Sequence, residues 1–403
     1  MSPSALMRTD DVEAVEGSHA RVIRAWLLCG LLLGITQFGV AWATPRIPTS
    51  DAEVLAELPP GATHASLASR QLARTRLDVA LPLAQFYISR ARATGDLRYL
   101  GYAEAALTPW LNRPSPPAAV LVLDATVLQS RHAFAAALTQ LNRALQAEPG
   151  DAQAWLTRAT VLRVLGRYDE AMSSCGHLRD VADEAVTSLC EQSIRGLTGH
   201  LQSAYEQSVS LPQQSLPREV RAWRYSELGE MAERLGNDAA AEHWLIEGLQ
   251  LAPEDFYMRT AYADLLLRHD RAMETLRLLS GYESLEPMLL RVAIAEKKVG
   301  DGHSARMQTL LADAFDVEQQ RGDAVHRREQ ARFLLDVEQR PAAALAVAQE
   351  NWRVQREPDD VLILLRAAHA ATRPDAVVPV MEFLRERHLE DARLDPYRSD
   401  ARF

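Results

Sequence analysis

Eleven histidines, three cysteines and 54 acidic side chains are the reactive stock of this 403-residue chain. The histidines are scattered. None stands four residues from another with a carboxylate helper, and there is no His-Glu-x-x-His, so metal ligation from one helix face has no support. Cys175-Gly176-His177 has the residue types of a metal pair, but Cys175 falls at a core position, where a small buried thiol is the plainer reading. Gly196-Leu197-Thr198-Gly199-His200 lacks the lysine and the spacing of a phosphate loop. No Gly-x-Ser-x-Gly elbow offers a nucleophile. Asp169/Glu170 and Glu230/Glu233 read as carboxylates on hydrated helix faces. The sequence therefore assigns no catalytic residue, no cofactor-binding residue and no metal ligand, and the chain is not expected to be an enzyme.

The composition points the same way. Hydrophobic residues make up 47% and aromatics only 6%, so the core must be built from Ala, Leu and Val, as in packed helices. The net charge of −10 comes without a basic run, which argues against a nucleic-acid partner.

Residues 25–43, AWLLCGLLLGITQFGVAWA, carry no charge and follow Arg21 and Arg24. They end on Ala41-Trp42-Ala43, a small-x-small cleavage pattern. Three readings stand: a signal peptide over 1–43 removed before Thr44, an uncleaved inner-membrane anchor, or a buried helix. Nineteen uncharged residues just suffice to span a bilayer. On the first two readings the rest of the chain is exported, to the periplasm or tethered to the outer face of the inner membrane. Residues 44–64 are proline-rich and read as a linker, and 389–403 as a polar C-terminal tail.

A period organises what lies between. Leu121, Ala125, Leu128, Phe134 and Ala137 reappear, each shifted by 34, as Trp155, Ala159, Leu162, Tyr168 and Ala171. Breaks at Pro149-Gly150-Asp151 and at Gly166 mark two helices per unit. Tyr225, Leu228, Gly229, Gly236, Ala241, Leu245 and Pro253 repeat the pattern, and Tyr262, Ala263, Leu266, Thr275 and Leu279 follow it in weaker form. A gapless 34-residue period of helix pairs resembles the tetratricopeptide repeat. The stretch 95–107, GDLRYLGYAEAAL, is similar to uncharacterised bacterial exported members of that superfamily. The resemblance implies an all-α solenoid, a right-handed superhelix of hairpins over 65–388. Its clearest units are 118–151, 152–185, 222–255 and 256–289. The Pro/Ser/Gln stretch 207–220 reads as a loop or a joint between half-arrays. Ala125, Ala159 and Gly229 are expected where two helices cross too closely for a larger side chain.

The repeat phase also suggests sites. Cys175 falls on a second helix and Cys190 on the next first helix. They either close a disulfide across one interface or are two core fillers that never meet. The superfamily holds peptides or partner helices on a concave face lined by first helices. Here that face would present Gln129, Arg163, Trp223 and Glu230. The superfamily's two-carboxylate clamp needs Lys and Asn at such places, and this chain has neither. Trp223 is either a binding anchor or packing under the 207–220 loop. Three functions compete: an envelope scaffold for a protein or peptide partner, a membrane-anchored structural subunit, and an enzyme with an unfamiliar helical site.

Overall fold

The computed structural model describes residues 67–212, 216–283, 285–300, 304–321 and 326–398. The segment 25–43 and the linker 44–64 lie outside the described residues. Within those residues every regular element is a helix, and no helix is long and apolar enough to cross a membrane.

The 34-residue period is visible in the helix starts. Ala118–Ser130 and Phe134–Ala147 form one hairpin. Ala152–Val164 and Tyr168–Gly176 form the next, each helix beginning 34 residues on. Arg218–Arg234 pairs with Asp238–Leu251, and Phe256–Arg268 with Ala272–Leu279. The less regular stretches also form pairs: Leu77–Thr94 with Arg98–Leu111, Glu184–Arg195 with Leu201–Ser210, and Glu286–Val299 with Ser304–Arg321. Arg327–Arg332 runs on through a π turn, Phe333–Val337, before Pro341–Val354, and Pro358–Ala370 precedes Val378–Arg387.

Local chemistry sets the boundaries. The Asp151 and Asp255 carboxylates each accept from a backbone N–H in the first turn of their helix, at 2.9 Å from Ala154 and Met258. Such caps satisfy donors that the helix cannot. The turn inside each hairpin needs a left-handed residue. Gly166 and Gly236 supply it with φ of 71° and 73°. His132 and Asp270, one period before and after them, adopt φ of 56° despite their side chains, at a cost of roughly 1–2 kcal/mol each for an ordinary residue. The small residues sit where expected: Ala125, Ala137, Ala159, Ala171 and Ala241 are buried, and a Cβ built on Gly229 would stand 3.0 Å from Leu245.

The end of the chain departs from a simple open array. One cluster of buried apolar side chains contains Leu121, Phe134, Leu162 and Tyr168 together with Val361, Leu364, Phe383, Leu389 and Leu394. The C-terminal hairpins thus pack back on the early ones. The Arg356 amide donates to the Val164 carbonyl at 2.7 Å. A Cβ added to Gly166 would meet Phe383 at 2.9 Å, one on Gly199 would meet His388 at 3.0 Å, and one on Gly236 would meet Ala392 at 3.3 Å. Residues 383–392 therefore run along the inner-turn edge of three successive units.

This corrects the reading of 389–403 as a polar tail. Residues 389–398 are ordered against the repeats, with Leu389 and Leu394 buried, and only 399–403 lie outside the described residues. The physical reason is charge pairing. Arg393 is held by Asp391 at 2.7 Å, Asp359 at 2.8 Å and Glu233 at 3.1 Å, so its polar neighbourhood is internal. The stretch 207–220 does not divide the array either. Arg224 donates back to the Ser208 and Val209 carbonyls at 2.8 and 2.7 Å, and Trp244 Nε1 donates to the Tyr205 hydroxyl at 3.0 Å. Its residues 213–215 lie outside the described residues.

Candidate partner-binding cavity

The concave side of the stacked first helices is closed by the returning C-terminal units into a cavity of about 1480 Å³. Leu77–Thr94 and Phe256–Arg268 meet across it, with a Cβ on Gly95 reaching the Phe256 ring at 3.0 Å. Gln129, Arg163, Trp223 and Glu230 all line this space.

Two of these four, Arg163 and Trp223, are joined through a residue that sequence phase did not single out, and Glu230 stands beside them. Glu227 accepts from Arg163 at 2.9 Å and from the Trp223 indole N–H at 3.1 Å. Arg163 also lies 3.7 Å from Glu357. The Tyr257 hydroxyl donates to Glu230 at 2.5 Å. Trp223 packs its ring on the main apolar cluster while its N–H faces the cavity wall. Burial, reinforced by the neighbouring Glu227 charge, pushes the Glu230 carboxyl up to about 7 despite Arg163. Gln129 lines the cavity apart from these groups.

The reading of Glu233 on a hydrated helix face is wrong, while Glu230 stands on the concave face that the repeat phase gives it. Both line the cavity, and Glu233 is 7% exposed. It pairs with Arg393 and Arg268. Arg268 comes from the next hairpin and Arg393 from 160 residues on, and together they turn a hydrated face into an internal one. Asp169, by contrast, is on the outside, with its side chain 93% exposed.

Further charged residues complete the wall. Asp264 is shared by Arg291 at 2.6 Å and Arg332 at 2.9 Å. Arg328 lies 3.5 Å from both Glu357 and Asp360, and Asp360 is fully buried, accepting from Asn351 at 2.8 Å. These pairs link units 27 to 68 residues apart. The cationic and anionic groups offset one another, so the charged part of the wall has no single sign.

Cys175 and Cys190 are joined by a disulfide, with Cα atoms 5.5 Å apart. Both are buried, and the bond ties Tyr168–Gly176 to Glu184–Arg195. With its sulfur so engaged, Cys175 cannot ligate a metal alongside His177, whose ring instead stacks on Trp155 at 4.0 Å. Among the described residues, one group has the donor types of a metal site: Glu286, Glu318 and His326. It was invisible to motif reading because its members are separated by 32 and 8 residues and come from three segments.

The 34-residue register of the hairpins and the small residues at their crossings give the described residues a helix-hairpin solenoid fold of the tetratricopeptide type. No family model matches the chain. A curated relative, human tetratricopeptide repeat protein 16, is 28% identical over 195 residues, 43% of this chain, and the chain spans only 22% of that protein's length. Among solved structures, Pseudomonas aeruginosa pilF is 18% identical with a TM-score of 0.31, covering 61% of this chain and 94% of its own. The tetratricopeptide domain of P58(IPK) is 14% identical with a TM-score of 0.25, over 70% and 96%. The Cut9–Hcn1 assembly of the APC/C gives 16% and a TM-score of 0.34, over 75% and 68%.

Proposed function

We propose that this chain is an exported scaffold of the bacterial cell envelope that holds a segment of a protein partner in its cavity and performs no catalysis. The observation that carries the reading is the cavity itself. At about 1480 Å³ it exceeds the roughly 300–1,000 Å³ typical of small-ligand sites. Its wall offers aromatic surface at Trp223 and Tyr257 beside preorganised charge pairs, a combination suited to peptide side chains of both signs. Export is supported by the arginine-flanked apolar stretch at 25–43 and by a cysteine pair placed to bond in an oxidising compartment.

The test is site-specific photocrosslinking in intact cells. A photoreactive residue at Gln129, inside the cavity, should trap a discrete protein adduct, and one at the exposed Thr139 should not. Equal labelling from both positions, or none from Gln129, rejects the cavity as the binding face. A second reading, a structural subunit anchored by residues 25–43, draws on the length of that stretch. N-terminal sequencing separates the two: Thr44-Pro45-Arg46 marks a cleaved signal, and an intact Met1 in the membrane fraction marks the anchor.

A further inference from the structure

We propose that Glu286, Glu318 and His326 form a binding site for one divalent metal ion of the zinc type. Glu286 opens the helix Glu286–Val299, Glu318 lies near the end of Ser304–Arg321, and His326 precedes Arg327–Arg332. Their ligand atoms all lie within 4.8 Å of one another. His326 Nδ1 stands 2.6 Å from Glu318 Oε1 and 3.2 Å from Glu286 Oε1. The three side chains are partly buried, with exposures of 16 to 20%.

The second observation is an unmet hydrogen-bonding demand. Two carboxylate oxygens converge on one ring nitrogen, which carries at most one hydrogen. Glu318 takes that hydrogen bond. Glu286 Oε1 is left buried without a hydrogen-bond partner. A buried carboxylate oxygen in that state is costly. A dication in place of the proton faces both oxygens and the nitrogen at once, and two carboxylates neutralise it.

The donor set selects the ion. Imidazole with carboxylates suits zinc and its first-row neighbours, whereas calcium requires six to eight oxygens. Zinc binds such nitrogen and oxygen atoms at about 2.0–2.2 Å, which places tetrahedral ligands roughly 3.3 Å apart. The 3.2 Å pair already fits, and the 2.6 Å pair must open by about 0.7 Å, within reach of side-chain rotation. Nearby cations are engaged elsewhere, Arg291 with Asp264 and Arg328 with Glu357 and Asp360. His326 also lines the cavity, so the ion has a route in from solvent. The competing occupant is a second ring proton, giving an imidazolium clamped between two glutamates.

The test uses the full chain stripped with a chelator and titrated with Zn²⁺ alone by calorimetry. One ion per chain is expected. His326→Asn and Glu318→Gln should each weaken binding at least tenfold, while His200→Asn, at an exposed position, should bind as the parent does. Absence of saturable one-to-one binding by the parent overturns the proposal, as does parental affinity in both site variants. Should the variants fail to fold by circular dichroism, nitrogen NMR of the parent decides the matter: zinc must shift the His326 Nδ1 resonance, and an unmoved resonance rejects the site.

Discussion

Phe383 lies against Gly166 so closely that a Cβ on the glycine would stand 2.9 Å from the ring. The glycine is the left-handed turn of an early hairpin, and the phenylalanine belongs to a helix more than two hundred residues later. Gly166→Ala meets two penalties at once, the φ of 71° and the contact. It should destabilise the chain by about 2 kcal/mol or more, read as a lower midpoint in chemical denaturation. Gly101→Ala, a helical glycine with only Arg131 within reach, should be close to neutral and serves as the control.

The crossing at Gly229 gives a second test. Its Cβ position faces both Leu245 Cγ and Cδ2 at 3.0 Å, inside a packed pair of helices. Gly229→Leu should cost about 3 kcal/mol and lower the helical signal on mild heating. A stability equal to that of the parent would show that the two helices do not cross there.

Glu230 predicts a pH dependence. Its carboxyl, ordinarily near 4.5, is raised to about 7 by burial and by Glu227. A carboxyl with a raised pKa in the folded state takes up a proton on folding, so its contribution to stability is lost as pH rises from about 4.5 through about 7. Glu230→Gln removes that loss and keeps an oxygen for the Tyr257 hydroxyl. It should stabilise by on the order of 1–2 kcal/mol at pH 8, allowing for water in the cavity, and change little at pH 4.5. Melting curves at the two pH values check this, and an equal effect at both would refute it.

Arg393 tests the corrected tail. Replacing it with Met leaves the buried Asp391 and Glu233, and the half-exposed Asp359, without their shared cation. The expected loss is about 3 kcal/mol, far above that of a substitution in a solvated terminus.

The cysteines provide the fifth measurement. Mass spectrometry of the protein from its native host, alkylated without reductant, should give the Cys175–Cys190 peptides as one linked species. Reduction should then lower stability by about 3 kcal/mol, the loop-closure value for a link of this size. Two freely alkylated thiols would reject both the bond and the oxidising compartment.

The repeat was legible because it is written locally. Each hairpin needs its own small residue at the crossing, its own turn and its own cap, so Ala125 and Ala159 or Gly166 and Gly236 announce themselves at fixed spacing. The phase also carried Gln129, Arg163, Trp223 and Glu230 to the cavity lining. Closure was not legible. Glu233 and Arg393 are 160 residues apart, and nothing in a 34-residue period records that they meet. Leu389 and Leu394 are too few and too widely spaced among charges to show an apolar face. The grouping of Glu286, Glu318 and His326 was hidden for the same reason, since each belongs to a different segment and only tertiary packing assembles them.

The return of residues 383–394 onto units that begin at Ala152 bears on how this chain acquires its structure during synthesis. In an ordinary linear array each repeat needs only its neighbour, so order can spread from any point and the first repeats can settle before the last are made. Here the apolar cluster around Leu162 and Tyr168 is completed by Val361, Phe383 and Leu389, which leave the ribosome about two hundred residues after them. Contacts of such long sequence separation slow the search for the native state. The early hairpins must therefore wait with part of their apolar surface uncovered, and a nascent chain stalled before Pro358 would present that surface to chaperones and proteases alike.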